Sequence, residues 1–100
     1  MNAAHTKRDW QVYIIEASDS KLYTGITTDI VHRWVSHDAG KGAKFFRGRK
    51  PKKICYIESG HNRSSASKRE AEIKKMTRSQ KQTLINSSHY ASPDFFDALR

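Results

Sequence analysis

Between residues 10 and 16, apolar side chains occupy both parities of an alternating run: Trp10, Val12 and Ile14 on one face, Tyr13 and Ile15 beside Gln11 on the other. A period of two predicts a strand, and apolar residues on both parities predict that the strand is covered from both sides. Small polar residues follow at 17–21 (ASDSK), and a second short run from Leu22 to Thr27 then predicts the return strand of an antiparallel hairpin. Thr28 and Asp29 supply a cap and an acidic first turn for a helix reaching about Asp38, which the glycines of AGKGAK end. On that helix Ile30, Val31, Trp34 and Val35 form the expected apolar arc, so Arg33 and His37, four residues apart, should lie together at its rim. KICYIES at 53–59 reads as a third strand, residues 60–63 as a turn, and 64–76 and 78–85 as two more helices. A polar NSSHYASP stretch leads to FFDAL, whose two phenylalanines are expected to dock as a short helix. The order strand, strand, helix, strand, helix, helix predicts an α+β domain over residues 10–85, a small three-stranded, mainly antiparallel sheet flanked by helices. Residues 1–9 read as an N-terminal extension and 86–100 as a tail.

Nineteen Lys and Arg against ten Asp and Glu give a formal charge of +9, which argues against an acidic or neutral scaffold and for a polyanionic partner, DNA first and RNA second. From Lys41 to Lys53 there are seven basic residues and no acid, interleaved with Phe45, Phe46 and two glycines. Lys41, Lys44, Arg47, Arg49 and Lys50 are therefore expected to contact phosphates, with an exposed phenylalanine free to stack on a base. No apolar run approaches the roughly 20 residues of a membrane span, and the start MNAAHTKRDW lacks a secretory h-region. The expectation is a cytoplasmic monomer without a membrane partner. The single cysteine, Cys55, excludes an intramolecular disulfide and a cysteine zinc cage, and within ICYI it is expected to pack in the core. His5, His32, His61 and His89 lack metal-site spacing and are expected at the surface or in loops.

Glu70 falls between Ala66 and Ile73, on the helix face expected to pack, whereas Glu72 points away with the lysines. A carboxylate so placed needs a partner. A divalent ion is one, since Mg²⁺ takes one or two protein carboxylates with phosphate oxygens and waters. A capping box from Ser67 to Glu70 is the other, with the helix starting later. Arg33 and His37 have a similar pair of readings: a phosphate fork beside a proton-handling imidazole, or a solvated i, i+4 pair. Spacing alone leaves both questions open.

As an ordered set, VYI at 12–14, YTGITT at 23–28, Arg33, His37 and the helical Glu70 resemble the GIY-YIG nuclease domain over about residues 10–85. More narrowly, LYTGITTDI, HDAGKGAK and SASKREAEIKKM are similar to the YhbQ-like (UPF0213) group of small single-domain bacterial proteins. The resemblance implies an endonuclease that hydrolyses DNA phosphodiesters with little sequence specificity, structure-selective in DNA repair or processing. It places the motif tyrosines on Tyr13 and Tyr23, the motif glycine on Gly25, the phosphate-binding arginine on Arg33 and the ligand of Mg²⁺ or Mn²⁺ on Glu70. His37 matches a position often held by His or Tyr. Three departures stand out: QVYI replaces GIY, Ile26 stands where some members carry lysine, and Gln82 with nearby Asn86 stands where some carry asparagine. Lys44 is the expected substitute for that lysine, and the two gaps imply slow catalysis. A tyrosine acting as base also requires nearby cations to favour phenolate, which the basic surroundings are expected to supply. Two other functions fit the same residues: a non-catalytic DNA- or RNA-binding module on this scaffold, and an adaptor docking through FFDAL.

Overall fold

The computed structural model describes residues 8–87. Strands β1 (Trp10–Ala17), β2 (Leu22–Thr27) and β3 (Pro51–His61) form one antiparallel sheet in the order β2-β1-β3, with helices α1 (Ile30–Asp38), α2 (Arg63–Lys74) and α3 (Arg78–Asn86) around it. The α+β class read from the sequence is therefore the observed one. Central β1 is covered on both faces, as its double parity of apolar residues requires, and Val12, Tyr13, Ile14 and Ile15 are fully buried. On one face Tyr13, Ile15 and Ala17 pack with Ile30 of α1, Phe46 of the α1–β3 loop and Ile54 of β3. On the other, Val12, Ile14 and Tyr56 pack with Ala66 and Ile73 of α2, and Leu84 and Ile85 of α3 close the margin. Burying each large apolar side chain contributes about 1.5–3 kcal/mol, so β1 is a rigid base for whatever it carries. The docking expected of FFDAL, and residues His5 and His89, lie outside the described residues.

Three local expectations are corrected. β3 is longer than residues 53–59: Pro51 pairs with Ala17 and His61 with Trp10, and register shifts along the β1 pairing let the strand run through Gly60, at φ +85°, where a turn was expected. Helix α2 begins at Arg63 because Asn62 caps it, accepting from Ser65 N while Ser65 Oγ accepts from Asn62 N. That capping box leaves Ser67 and Glu70 inside the helix and removes the reading of Glu70 as a cap. Finally, α1 is rotated relative to its hydropathy pattern: Val31 and Val35 are 47% and 59% exposed, while Ile30 and His37 are buried and Trp34 half-buried. His37 is thus inside the fold and not at a rim. Cys55 is in the core, where burial pushes its thiol up. Among the described residues, no helix is long and apolar enough to cross a membrane.

Candidate active site

Tyr13 lies opposite Gly25 in the β1–β2 ladder, and its ring passes over that residue. A Cβ at Gly25 would stand 2.5 Å from Tyr13 Oη, 2.7 Å from Cζ and 3.0 Å from Tyr23 Cε2, so any side chain there must displace the phenols. The glycine is needed for close approach and not for an unusual backbone angle. Clear of Gly25, the Tyr13 hydroxyl meets His37 Nε2 at 2.8 Å. The His37 ring lies 4.4 Å from that of Phe46 and 5.3 Å from that of Tyr23, centroid to centroid. Burial, then the charge of Arg33, pushes the imidazole down to about 4, with the Lys41 backbone opposing the shift. Burial pushes the Tyr13 phenol up, Tyr23 and Glu70 add to the rise, and Arg33 only partly offsets it. At neutral pH, Tyr13 therefore keeps its proton and donates to Nε2, which leaves the imidazole proton on Nδ1. Nδ1 makes no full hydrogen bond, although the Lys41 backbone is near enough to act on the ring. The expectation that surrounding cations favour phenolate fails at Tyr13, because burial outweighs Arg33.

Arg33 is half-buried, and its Nε is buried without a hydrogen-bond partner. A Cβ at Gly42, where φ is +89°, would stand 3.2 Å from Arg33 Nη1, so the loop backbone forms one wall beside the guanidinium. Sequence reasoning gave Gly42 no such part; its only signal was a glycine-bearing loop directly after the arginine's helix. Tyr23 is half-buried among Phe45, Phe46 and His37, with centroids at 5.2, 5.2 and 5.3 Å. Unlike Tyr13, its hydroxyl has no protein hydrogen-bond partner among the described residues, which leaves it open to water or a ligand. Glu70 is partly exposed, pairs with Lys74 Nζ at 3.2 Å, and acts electrostatically on Tyr13. Among the described residues no group of three or more His, Cys, Asp or Glu converges, so there is no all-protein metal cage. A single accessible carboxylate remains, which suits an ion that completes its shell with water and phosphate oxygens.

Two phenols, an arginine and a helical carboxylate set around β1 and β2 agree with comparison against known proteins, in which the GIY-YIG catalytic domain matches residues 9–83. The chain belongs to the GIY-YIG family. Its relatives include the UPF0213 protein of Haloquadratum walsbyi, 52% identical over 73 residues (73% of this chain and 82% of the relative). The UPF0213 protein YhbQ of Escherichia coli is 42% identical over 76 residues, 76% of each chain. Among solved structures, the UPF0213 protein BH0048 of Bacillus halodurans is 38% identical with a TM-score of 0.50, covering 77% of this chain and 82% of its own. The E. faecalis protein EF2693 is 31% identical with a TM-score of 0.57, covering 88% and 97%.

On this GIY-YIG scaffold the basic loop divides. Arg49 Nε donates to Asp19 at 2.8 Å while its guanidinium lies 4.5 Å over the Phe45 ring, and Lys50 Nζ donates to the Asp38 carbonyl at 2.8 Å. These two hold the loop. Lys41, Lys44 and Arg47 are exposed and form no side-chain ion pair among the described residues, which leaves them open to an anion. Neither phenylalanine is a free stacking platform, since Phe46 is buried and Phe45 half-buried, and together they form the floor under Tyr23 and His37. A second polar cluster was missed. Glu58 accepts from Tyr56, from His61 at 2.6 Å and from Arg69 at 3.1 Å, tying β3 to α2 one residue before Glu70. Burial alone would raise Glu58, but hydrogen bonds from Tyr56, His61 and Arg69 hold it below the ordinary carboxylate range. His61 is therefore a held residue and not a loose loop histidine; Tyr56 and Glu58, two apart on one strand face, were the available signal.

The buried His37 sets a pH dependence of folding. Its folded pKa near 4 lies below the unfolded value of 6.5, so between these the unfolded chain binds more protons. Stability is then full above 6.5 and falls as pH drops toward 4, by roughly 3 kcal/mol at most. Urea unfolding at pH 7.5, 6.5 and 5.5, above the carboxylate window, should show the upper part of this slope, and His37→Gln should flatten it. An unchanged slope in the variant would assign the effect to other groups.

Proposed function

We propose that this protein is a metal-dependent endonuclease acting on DNA with little sequence specificity. The observation that carries the reading is the asymmetry of the phenols: Tyr13 is locked onto His37, while the Tyr23 hydroxyl is open beside the same imidazole. Arg33, whose guanidinium reaches toward the Tyr13 hydroxyl but whose Nε makes no full hydrogen bond, can fork onto phosphate oxygens and neutralise charge that develops there. Neutral His37 accepts the hydrogen bond from the Tyr13 hydroxyl and fixes that phenol. Tyr23 orients the attacking water or takes its proton, and Lys41, Lys44 and Arg47 hold the backbone nearby. Glu70 is the residue that would hold Mg²⁺ or Mn²⁺, an ion that when bound supplies charge stabilisation to the phosphate and the departing oxygen.

A non-catalytic nucleic-acid-binding module is the second reading. Ile26 favours it by packing in the apolar cluster on the far face, and Gln82 does so by donating its amide to Asn86. Incubating the purified chain with labelled single-stranded, duplex, nicked and branched DNA, and with RNA, in Mg²⁺, Mn²⁺ or EDTA separates the two. Cleavage of DNA in the metals and none in EDTA is expected; binding without cleavage in every metal leaves only the module.

A further inference from the structure

On the sheet face away from the phenols, the β1–β2 turn and the start of α3 border an open cleft of about 190 Å³ lined by Lys21, Leu22, Arg78 and Lys81. Leu22 and Tyr23 are consecutive on β2, so their side chains leave opposite faces of the sheet. Arg78 and Lys81 are three apart on α3 and share a helix face, and Lys21 meets them from the turn. None of the three cations is ion-paired among the described residues, and no acid lines the cleft. Solvent and salt screen most of the repulsion among these surface cations, but an anion seated in the hollow would meet all three. The adjoining cleft, which shares Leu22 and Arg78, carries one acid, Glu16, within 3.8 Å of Lys53. A hollow this small lies below the usual range for an organic ligand, roughly 300–1,000 Å³, and suits a single phosphate group. The β1–β2 turn that carries Lys21 also holds the basic loop: Ser18 N donates to the Lys50 carbonyl and Asp19 pairs with Arg49.

We infer that the Lys21, Arg78 and Lys81 cleft binds a backbone phosphate of the nucleic acid. The substrate is then gripped on both sides of the β1–β2 turn, by the 41–47 segment on one side and by this cleft on the other. This rests on the reading of the partner as nucleic acid. The test measures duplex DNA affinity in EDTA against salt for the full chain, for Lys21→Ala/Arg78→Ala/Lys81→Ala, and for Lys68→Ala/Lys75→Ala, whose two lysines are exposed on and just after α2. The triple variant should bind all sequences more weakly and to the same degree, and its salt slope should flatten by about 0.9 for each phosphate that is no longer neutralised. The α2 variant should flatten less per charge removed. A salt-dependent wild type whose slope is flattened equally per charge by both variants overturns the cleft and leaves the nucleic-acid reading standing. A wild type with no salt-dependent affinity overturns both.

Discussion

Glu70→Ala should abolish cleavage in Mg²⁺ and Mn²⁺ while DNA affinity in EDTA stays near the wild-type value or rises slightly. If the carboxylate holds the ion, its removal forfeits several kcal/mol of charge stabilisation, a loss of about 10³-fold or more in turnover. Affinity is spared because the charge removed is negative, and Lys74, its partner at 3.2 Å, becomes an unpaired cation. Folding is spared too. Glu70 caps nothing, since α2 is capped by Asn62, and an i, i+4 pair of this exposure is worth about 0.3–0.5 kcal/mol. Glu70→Gln, which keeps the shape and loses the charge, should fail in the same way. Cleavage at the wild-type rate in either variant, measured in saturating metal, would remove Glu70 from the chemistry and the metal assignment with it.

What the sequence made legible here depended on how far each signal had to travel along the chain. The hairpin, the double-faced β1 and the placement of Glu70 away from solvent-facing Glu72 follow from neighbours a few residues apart. The rotation of α1 does not. Hydropathy ranks Val31 and Val35 above His37, yet His37 is the one inside because a hydroxyl 24 residues earlier in the chain satisfies its ring nitrogen. The basic loop misled for the same reason: Asp19 and Arg49 pair across 30 residues, and only that pairing reveals which cations are engaged and that Phe45 is a floor. The candidate site residues were singled out through ordered motifs instead. Gly25 shows why, since its lack of a side chain is dictated by Tyr13 across the ladder, a closeness that a motif records and a hydropathy profile does not.

Tyr23→Phe deletes one oxygen and should lower single-turnover cleavage on the order of 10²-fold or more, with DNA affinity and stability unchanged. Its hydroxyl has no protein partner among the described residues, so nothing in the fold depends on it, and the ring packing against Phe45 and Phe46 survives. Tyr13→Phe should behave differently. It strands His37 Nε2, a buried acceptor at 2.8 Å, and leaving such a group unsatisfied costs about 1–3 kcal/mol, visible in urea unfolding. Its effect on cleavage should be smaller, because burial keeps Tyr13 protonated and excludes it as the base at neutral pH. The two variants therefore separate along two axes, rate for Tyr23 and stability for Tyr13. If both cut at near wild-type rates in saturating metal, neither phenol handles the attacking water, and the open hydroxyl of Tyr23 is a packing feature of the aromatic cluster. If the rate loss falls on Tyr13 instead, the proton path runs through His37, whose depressed pKa would then set the acid limb of the pH–rate profile near 4.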